Sequence, residues 1–168
     1  FKRIGFIGLG NVGYKLANSL ISAGHNIYVH DLEKNNANDL IKSGADWVET
    51  PKELAATSDI AITCLPSPTA VADVVEGPNG LVHGMSDGKA WIEMSTTDSK
   101  EMLRLGAIME KIGVHCCEAP VSGGCHRAAT GNIAILVGGT RTAFDLAFPA
   151  LKAMGYQILH VGELGKAS

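Results

Sequence analysis

The sequence predicts an α/β fold built on a doubly wound, mostly parallel sheet. Two observations carry this reading. Short apolar runs of β type alternate along the chain with longer stretches whose apolar residues recur at helical spacing. The first run also passes into the first helical stretch through Gly8-Leu9-Gly10-Asn11-Val12-Gly13, a turn rich in glycine. Right-handed crossovers between parallel strands then place helices on both faces.

The elements follow in order. Arg3 to Leu9 is a continuous β-type run. Val12 to Ala23 is amphipathic, with Val12, Leu16, Ala17, Leu20, Ile21 and Ala23 on one side. Asn26 to His30 is a second strand, Asn35 to Ser43 a helix stopped by Gly44, and Asp46 to Val48 a short strand. Thr50-Pro51-Lys52-Glu53 opens a helix, with a capping Thr, Pro at the first helical position and Glu at the third. Asp59 to Leu65 is a buried strand, Pro68 to Val75 a short helix, and Gly77 to Gly80 a turn. Lys89 to Met94, Val114 to Glu118, Asn132 to Val137 and Tyr156 to Val161 are further strands. Ser99 to Ile112 and Thr140 to Met154 are the helices between them. Residues 1–161 form one domain, and 162–168 begin a segment leading out of it.

Bulk properties exclude several classes. A chain of 168 residues, 46% hydrophobic and 18% charged, is long enough for one buried core and too apolar for disorder. Its net charge of −3 offers no basic field to nucleic acid or an anionic membrane. No apolar segment has bilayer-spanning length, and no secretory or transit signal precedes the first strand. A start at Phe1 rather than Met leads us to expect further N-terminal residues. Cys64, Cys116, Cys117 and Cys125 match no zinc framework, and adjacent Cys116 and Cys117 are expected on opposite faces of a strand. Reduced thiols fit the cytoplasm, or the mitochondrial matrix of a eukaryote. The six histidines lack ligand spacing, so no metal site is expected.

The glycine turn has the G-x-G-x-x-G spacing of a Rossmann-type dinucleotide site. Gly8 permits the tight turn, Gly10 lets a pyrophosphate approach the backbone, and Gly13 lets the helix pack on the strand. The free N–H groups and positive dipole end of that helix face the phosphates. Asp31 ends the second strand, where a carboxylate accepts the adenosine ribose hydroxyls and repels the 2′-phosphate of NADP. No Arg stands nearby, although Lys34 is close, so the cofactor expected is NAD.

Together these residues resemble the β-hydroxyacid dehydrogenase family, the 3-hydroxyisobutyrate dehydrogenase type. Ile4 to Gly10 with Gly13 resembles its opening motif, and Ala23-Gly24-His25 its next turn. Asp31 matches NAD-type members, whereas NADP-type members tend to carry Asn-Arg-Thr. Cys64-Leu65-Pro66, with Val71, Val74, Gly77, Gly80 and Leu81, resembles the loop under the cofactor. Ser95-Thr96-Thr97 resembles the motif beside the nicotinamide. Ala119-Pro120-Val121-Ser122-Gly123-Gly124, continuing to Ala128, Gly131, Gly138 and Gly139, resembles the substrate signature. The resemblance implies that Leu65, Pro66 and Thr96 position the nicotinamide ribose. It implies that Ser122, Gly123 and Gly124 hold the carboxylate of a small hydroxyacid. Read from the residues alone, the weightier expectation for Ser122 is a cap on a following helix.

The resemblance also implies a catalytic Lys just past Ser168 and a C-terminal helical domain, both missing from this chain. Lys166 comes too early for that role. No catalytic residue is therefore expected here, the fragment should bind NAD with negligible turnover, and the full-length protein is expected to be a homo-oligomer. Arg127 stands where the family usually has Gly, either as a cation near the substrate or as a solvent-facing residue. Glu93 replaces a frequent Asp, with little consequence expected. A 2-hydroxy-3-oxopropionate reductase and a non-catalytic dinucleotide-binding module are the competing readings.

Overall fold

A computed structural model describes residues 2–96, 98–121 and 134–167. Strands β1 (Ile4–Ile7), β2 (Ile27–His30), β3 (Asp46–Trp47), β4 (Ile60–Thr63), β5 (Ala90–Glu93), β6 (His115–Glu118), β7 (Ala134–Gly139) and β8 (Gln157–Gly162) form one sheet. Its order is β3-β2-β1-β4-β5-β6-β7-β8. Neighbours run parallel except β6 and β7, which meet antiparallel. The helices are α1 (Asn11–Ser22), α2 (Asn38–Lys42), α3 (Pro51–Thr57), α4 (Pro68–Glu76), α5 (Ser99–Glu110) and α6 (Arg141–Met154).

Strands β1, β4 and β5 are buried on both faces, as their continuous apolar runs require, whereas β8 at the sheet edge is part exposed along its length. On one face Phe6, Val29, Ile62, Ile92 and Cys117 pack with Leu16 and Leu20 of α1, Leu40 of α2, and Phe144 and Leu151 of α6. On the other, Ile7, Ala61, Trp91 and Cys116 pack with Leu54 of α3, Val71 of α4, and Met102 and Leu105 of α5. Cys116 and Cys117 thus face opposite ways, as strand alternation demands.

Thr50, Ser67, Asp98 and Thr140 each accept a hydrogen bond from the backbone N–H three residues on, capping α3, α4, α5 and α6. Such a cap is worth about 1 kcal/mol. The helix expected over Asn35 to Ser43 is instead a 3₁₀ turn, Lys34–Ala37, followed by the short α2. Asn36 is the reason visible in the structure, since its amide donates to Asp31 Oδ2 at 2.9 Å and draws the segment towards β2. A 3₁₀ turn at Leu81–His83 follows the expected glycine turn. Among the described residues no helix is long and apolar enough to cross a membrane.

Candidate functional site

Strand order reverses at β1, with β2 and β3 to one side and β4, β5 and β6 to the other. Connections leaving β1 and β4 diverge there, and a crevice must open at their carboxyl ends. A cleft of about 860 Å³ occupies that place.

The glycine turn forms its floor. Gly8 has φ +101°, and a Cβ there would strike the carbonyl oxygen of Cys64 at the end of β4. A Cβ on Gly13 would strike the carbonyl oxygen of Gly8, so α1 packs on the turn only because Gly13 lacks one. A Cβ on Gly10 would meet nothing within 4 Å, and Gly10 lines the cleft. Helix α1 starts here with no side-chain cap and no acidic residue in its first turn. Its first N–H groups and dipole are therefore suited to an anion. Asn11 and Val12 line the same wall. Leu9 does not: its side chain is buried in the core, and its contribution is a backbone N–H.

Asp31 marks the β2 side. Its Oδ1 accepts from Leu9 N at 2.9 Å, and its Oδ2 accepts from Glu33 N at 3.1 Å and Asn36 Nδ2 at 2.9 Å. A carboxylate has about four acceptor sites, so capacity for one more donor remains. Leu32, 98% exposed, and Pro51 flank it at the mouth. The Lys34 ammonium lies over the Trp47 ring, 5.6 Å from its centroid. His30, which the sequence reading passed over, also lines the cleft and holds Val48 O through Nδ1 at 2.9 Å.

Cys64, Leu65, Pro66, Met94, Ser95, Thr96 and Val121 form the opposite half. Behind them lies a chain of buried polar groups. Trp91 Nε1 donates to Thr63 Oγ1 at 3.0 Å, and Thr63 Oγ1 donates to Glu93 Oε1 at 3.0 Å. Ser95 donates to the same oxygen from N at 2.9 Å and from Oγ at 2.6 Å. Ser95 Oγ in turn accepts from Leu65 N at 2.7 Å. Burial pushes the Glu93 carboxyl up from its ordinary range, against the lowering effect of these hydrogen bonds. Burial likewise pushes the Cys64 thiol up to about 12, with the Glu93 charge adding to it.

Glu118, at the end of β6, is a second buried carboxylate. It accepts from Gly165 N and, at 3.3 Å, from Ala167 N, which ties the segment after β8 back to the sheet. Burial raises its carboxyl too. Nothing in the sequence reading singled out either glutamate as an acceptor. The proposed substrate residues Ser122, Gly123 and Gly124, together with Cys125 and Arg127, lie outside the described residues. Among the described residues no three His, Cys, Asp or Glu are gathered as a metal cluster.

The family described as the NAD binding domain of 6-phosphogluconate dehydrogenase matches residues 3–162. The chain belongs to this family. It is 37% identical to the probable mitochondrial 3-hydroxyisobutyrate dehydrogenase of Dictyostelium discoideum, over 98% of this chain and 51% of that protein. It is 34% identical to the human cytokine-like nuclear factor N-PAC, over 99% of this chain and 30% of that protein. A solved structure described as Psf3 in complex with NADP+ and 2-OPP superposes with a TM-score of 0.93 at 30% identity, covering 98% of this chain and 58% of that one. The chain thus spans about half the length of the dehydrogenase relative. The family is one of NAD-binding domains, and the open glycine turn, uncapped α1 and acidic end of β2 fit such a group.

Proposed function

We propose that this chain is the cofactor-binding half of an NAD-dependent 3-hydroxyacid dehydrogenase of the 3-hydroxyisobutyrate type. The observation that carries the proposal is the pairing of an unobstructed Gly10 with Asp31 across one cleft. In this reading the α1 N-terminus and the turn from Gly8 to Gly13 hold the pyrophosphate. The Asp31 carboxylate takes the adenosine ribose. Leu65, Pro66 and Thr96 border the nicotinamide half. Bound nicotinamide supplies or accepts the hydride. Ser122, Gly123 and Gly124 hold the carboxylate of a small hydroxyacid, and a Lys beyond Ser168 moves the proton at the alcohol oxygen.

NAD is preferred over NADP because Asp31 is a fixed negative group, Glu33 adds another, and Lys34 is drawn onto Trp47. Gly165 and Ala167, held by Glu118, lead towards a helical domain that completes the site and pairs subunits. The free thiols Cys64, Cys116 and Cys117 suit a reducing compartment, the cytoplasm or the mitochondrial matrix.

Calorimetric titration with NAD and NADP, alongside Asp31→Ala, tests the cofactor assignment. NAD binding that exceeds NADP binding and weakens in the variant supports it; equal or absent binding overturns it. The similarity to N-PAC, whose name is not that of a dehydrogenase, favours a second reading as a non-catalytic dinucleotide-binding module. Oxidation of 3-hydroxyisobutyrate by the intact protein, abolished when the downstream Lys is replaced, separates the two.

A further inference from the structure

The cleft has two chemically distinct halves. Asp31, Leu32 and Pro51 border one end, and Leu65, Ser95 and Thr96 border the other. The second end is built from two separate loops, one leaving β4 and one leaving β5. Their relative placement sets the width of the slot between them, and one buried hydrogen-bond chain spans both.

Glu93 anchors that chain. It is fully buried and does not line the cleft, so it cannot touch a ligand there. Its Oε1 receives Ser95 N, Ser95 Oγ and Thr63 Oγ1, which fixes the first residues of the β5 loop. The Trp91 indole donates to Thr63 Oγ1, leaving the Thr63 proton directed at Glu93. Ser95 Oγ, its own proton committed to Glu93, offers its lone pair to Leu65 N of the β4 loop. Each hydroxyl therefore has one orientation, and the carboxylate sets the direction of the series. Hydrogen bonds to a carboxylate are stronger than neutral ones, and their geometry is correspondingly better defined.

We propose that Glu93 is a positioning residue for the nicotinamide half of the cofactor, acting through Ser95 on the backbone at Leu65. This rests on the NAD-binding reading above. It makes Glu93 selective in effect: the carboxylate orders the slot for the nicotinamide riboside and leaves the adenosine and pyrophosphate subsites as they are. A role confined to folding would act on both halves alike.

ADP separates these cases, since it carries the adenosine and the pyrophosphate of NAD and lacks the nicotinamide riboside. Titrations of NAD and ADP into the wild type, Glu93→Ala, Glu93→Gln and Ser95→Ala read the two halves independently. The expected result is an NAD Kd about tenfold higher in Glu93→Ala and Ser95→Ala, with the ADP Kd within about twofold of wild type. Glu93→Gln retains an acceptor oxygen and is expected to restore NAD affinity to within about threefold. Equal losses for the two ligands, or an unchanged NAD Kd in folded Ser95→Ala, overturn the proposal. Ser95→Ala keeps the test decisive if Glu93→Ala fails to fold. A wild-type protein that binds neither ligand overturns the cofactor reading itself, and this inference with it. Wild-type binding of both, without selectivity in the variants, overturns this inference alone.

Discussion

The backbone N–H of Leu9 donates to Asp31 Oδ1 across 2.9 Å, joining the glycine turn to the tip of β2. The carboxylate is therefore part of the frame of the phosphate turn as well as a candidate ribose acceptor. Asp31→Ala removes both contributions. NAD affinity should fall by about tenfold to a hundredfold, the range expected for losing one or two charge-assisted hydrogen bonds. Asp31→Asn, which keeps one carbonyl oxygen, should fall between. Calorimetry on both variants measures this, and an unchanged Kd in the alanine variant would count against the assignment.

Coenzyme preference should be reversible at the same corner. Leu32 is 98% exposed, so an Arg there is free to turn towards a 2′-phosphate. The triple exchange Asp31→Asn, Leu32→Arg and Glu33→Thr should raise NADP affinity above NAD affinity. Parallel titrations of the two nucleotides decide it, and a variant that still favours NAD places the discrimination elsewhere.

Gly10 and Gly13 should respond to alanine in opposite ways. Gly13→Ala drives a methyl group into the Gly8 carbonyl, so the turn or α1 must shift. A loss of stability on the order of 1–3 kcal/mol is expected, seen as a lower Tm. Gly10→Ala places its methyl in open space, so Tm should stay near wild type while NAD affinity drops sharply. Melting curves with and without NAD distinguish the two.

The pH dependence has a defined sign. Burial raises the native Glu93 carboxyl above its ordinary value of 4.5. Between those values the native state binds more protons than the unfolded chain, so stability falls as pH rises. This contribution is full below about 4.5 and is lost as pH climbs through the raised native value. Glu93→Gln cannot titrate. The Tm difference between this variant and wild type should therefore move in the variant's favour above about pH 4.5. Glu118 shifts in the same direction but is present in both proteins, so the difference isolates Glu93. Superimposable pH profiles would refute this.

Much of the fold was legible because its signals are local. Apolar period marks strands and helices, and caps such as Thr50 and Thr140 mark where helices start. The glycine turn was readable for the same reason, since three backbone requirements fall within six residues. The antiparallel entry of β7 was not readable, because strand direction depends on partners distant in sequence. Nor was the Asn36 contact that breaks the expected helix. Glu93 looked like a minor exchange because Thr63, which donates to it, and Leu65, which donates to Ser95 beside it, come from about thirty residues away in sequence and arrive only through parallel pairing. Asp31 stood out from position alone, but its bond to Leu9 required the sheet.

The reversal between β6 and β7 divides the sheet into two ladders joined by a narrow seam. Among the described residues, Cys117 with Gly139 and Glu118 with Gly138 pair across it, with a bridge from Val121 to Ile135 beyond. What holds the second ladder is α6, whose Phe144, Ala147 and Leu151 sink into the same apolar layer as Ile92 and Cys117. The last strand–helix–strand unit is thus riveted by side chains rather than stitched by backbone. Amide exchange would find β7, α6 and β8 opening together as one cooperative block, released by damage to the rivet at Leu151 sooner than by damage to the exposed edge at Leu159.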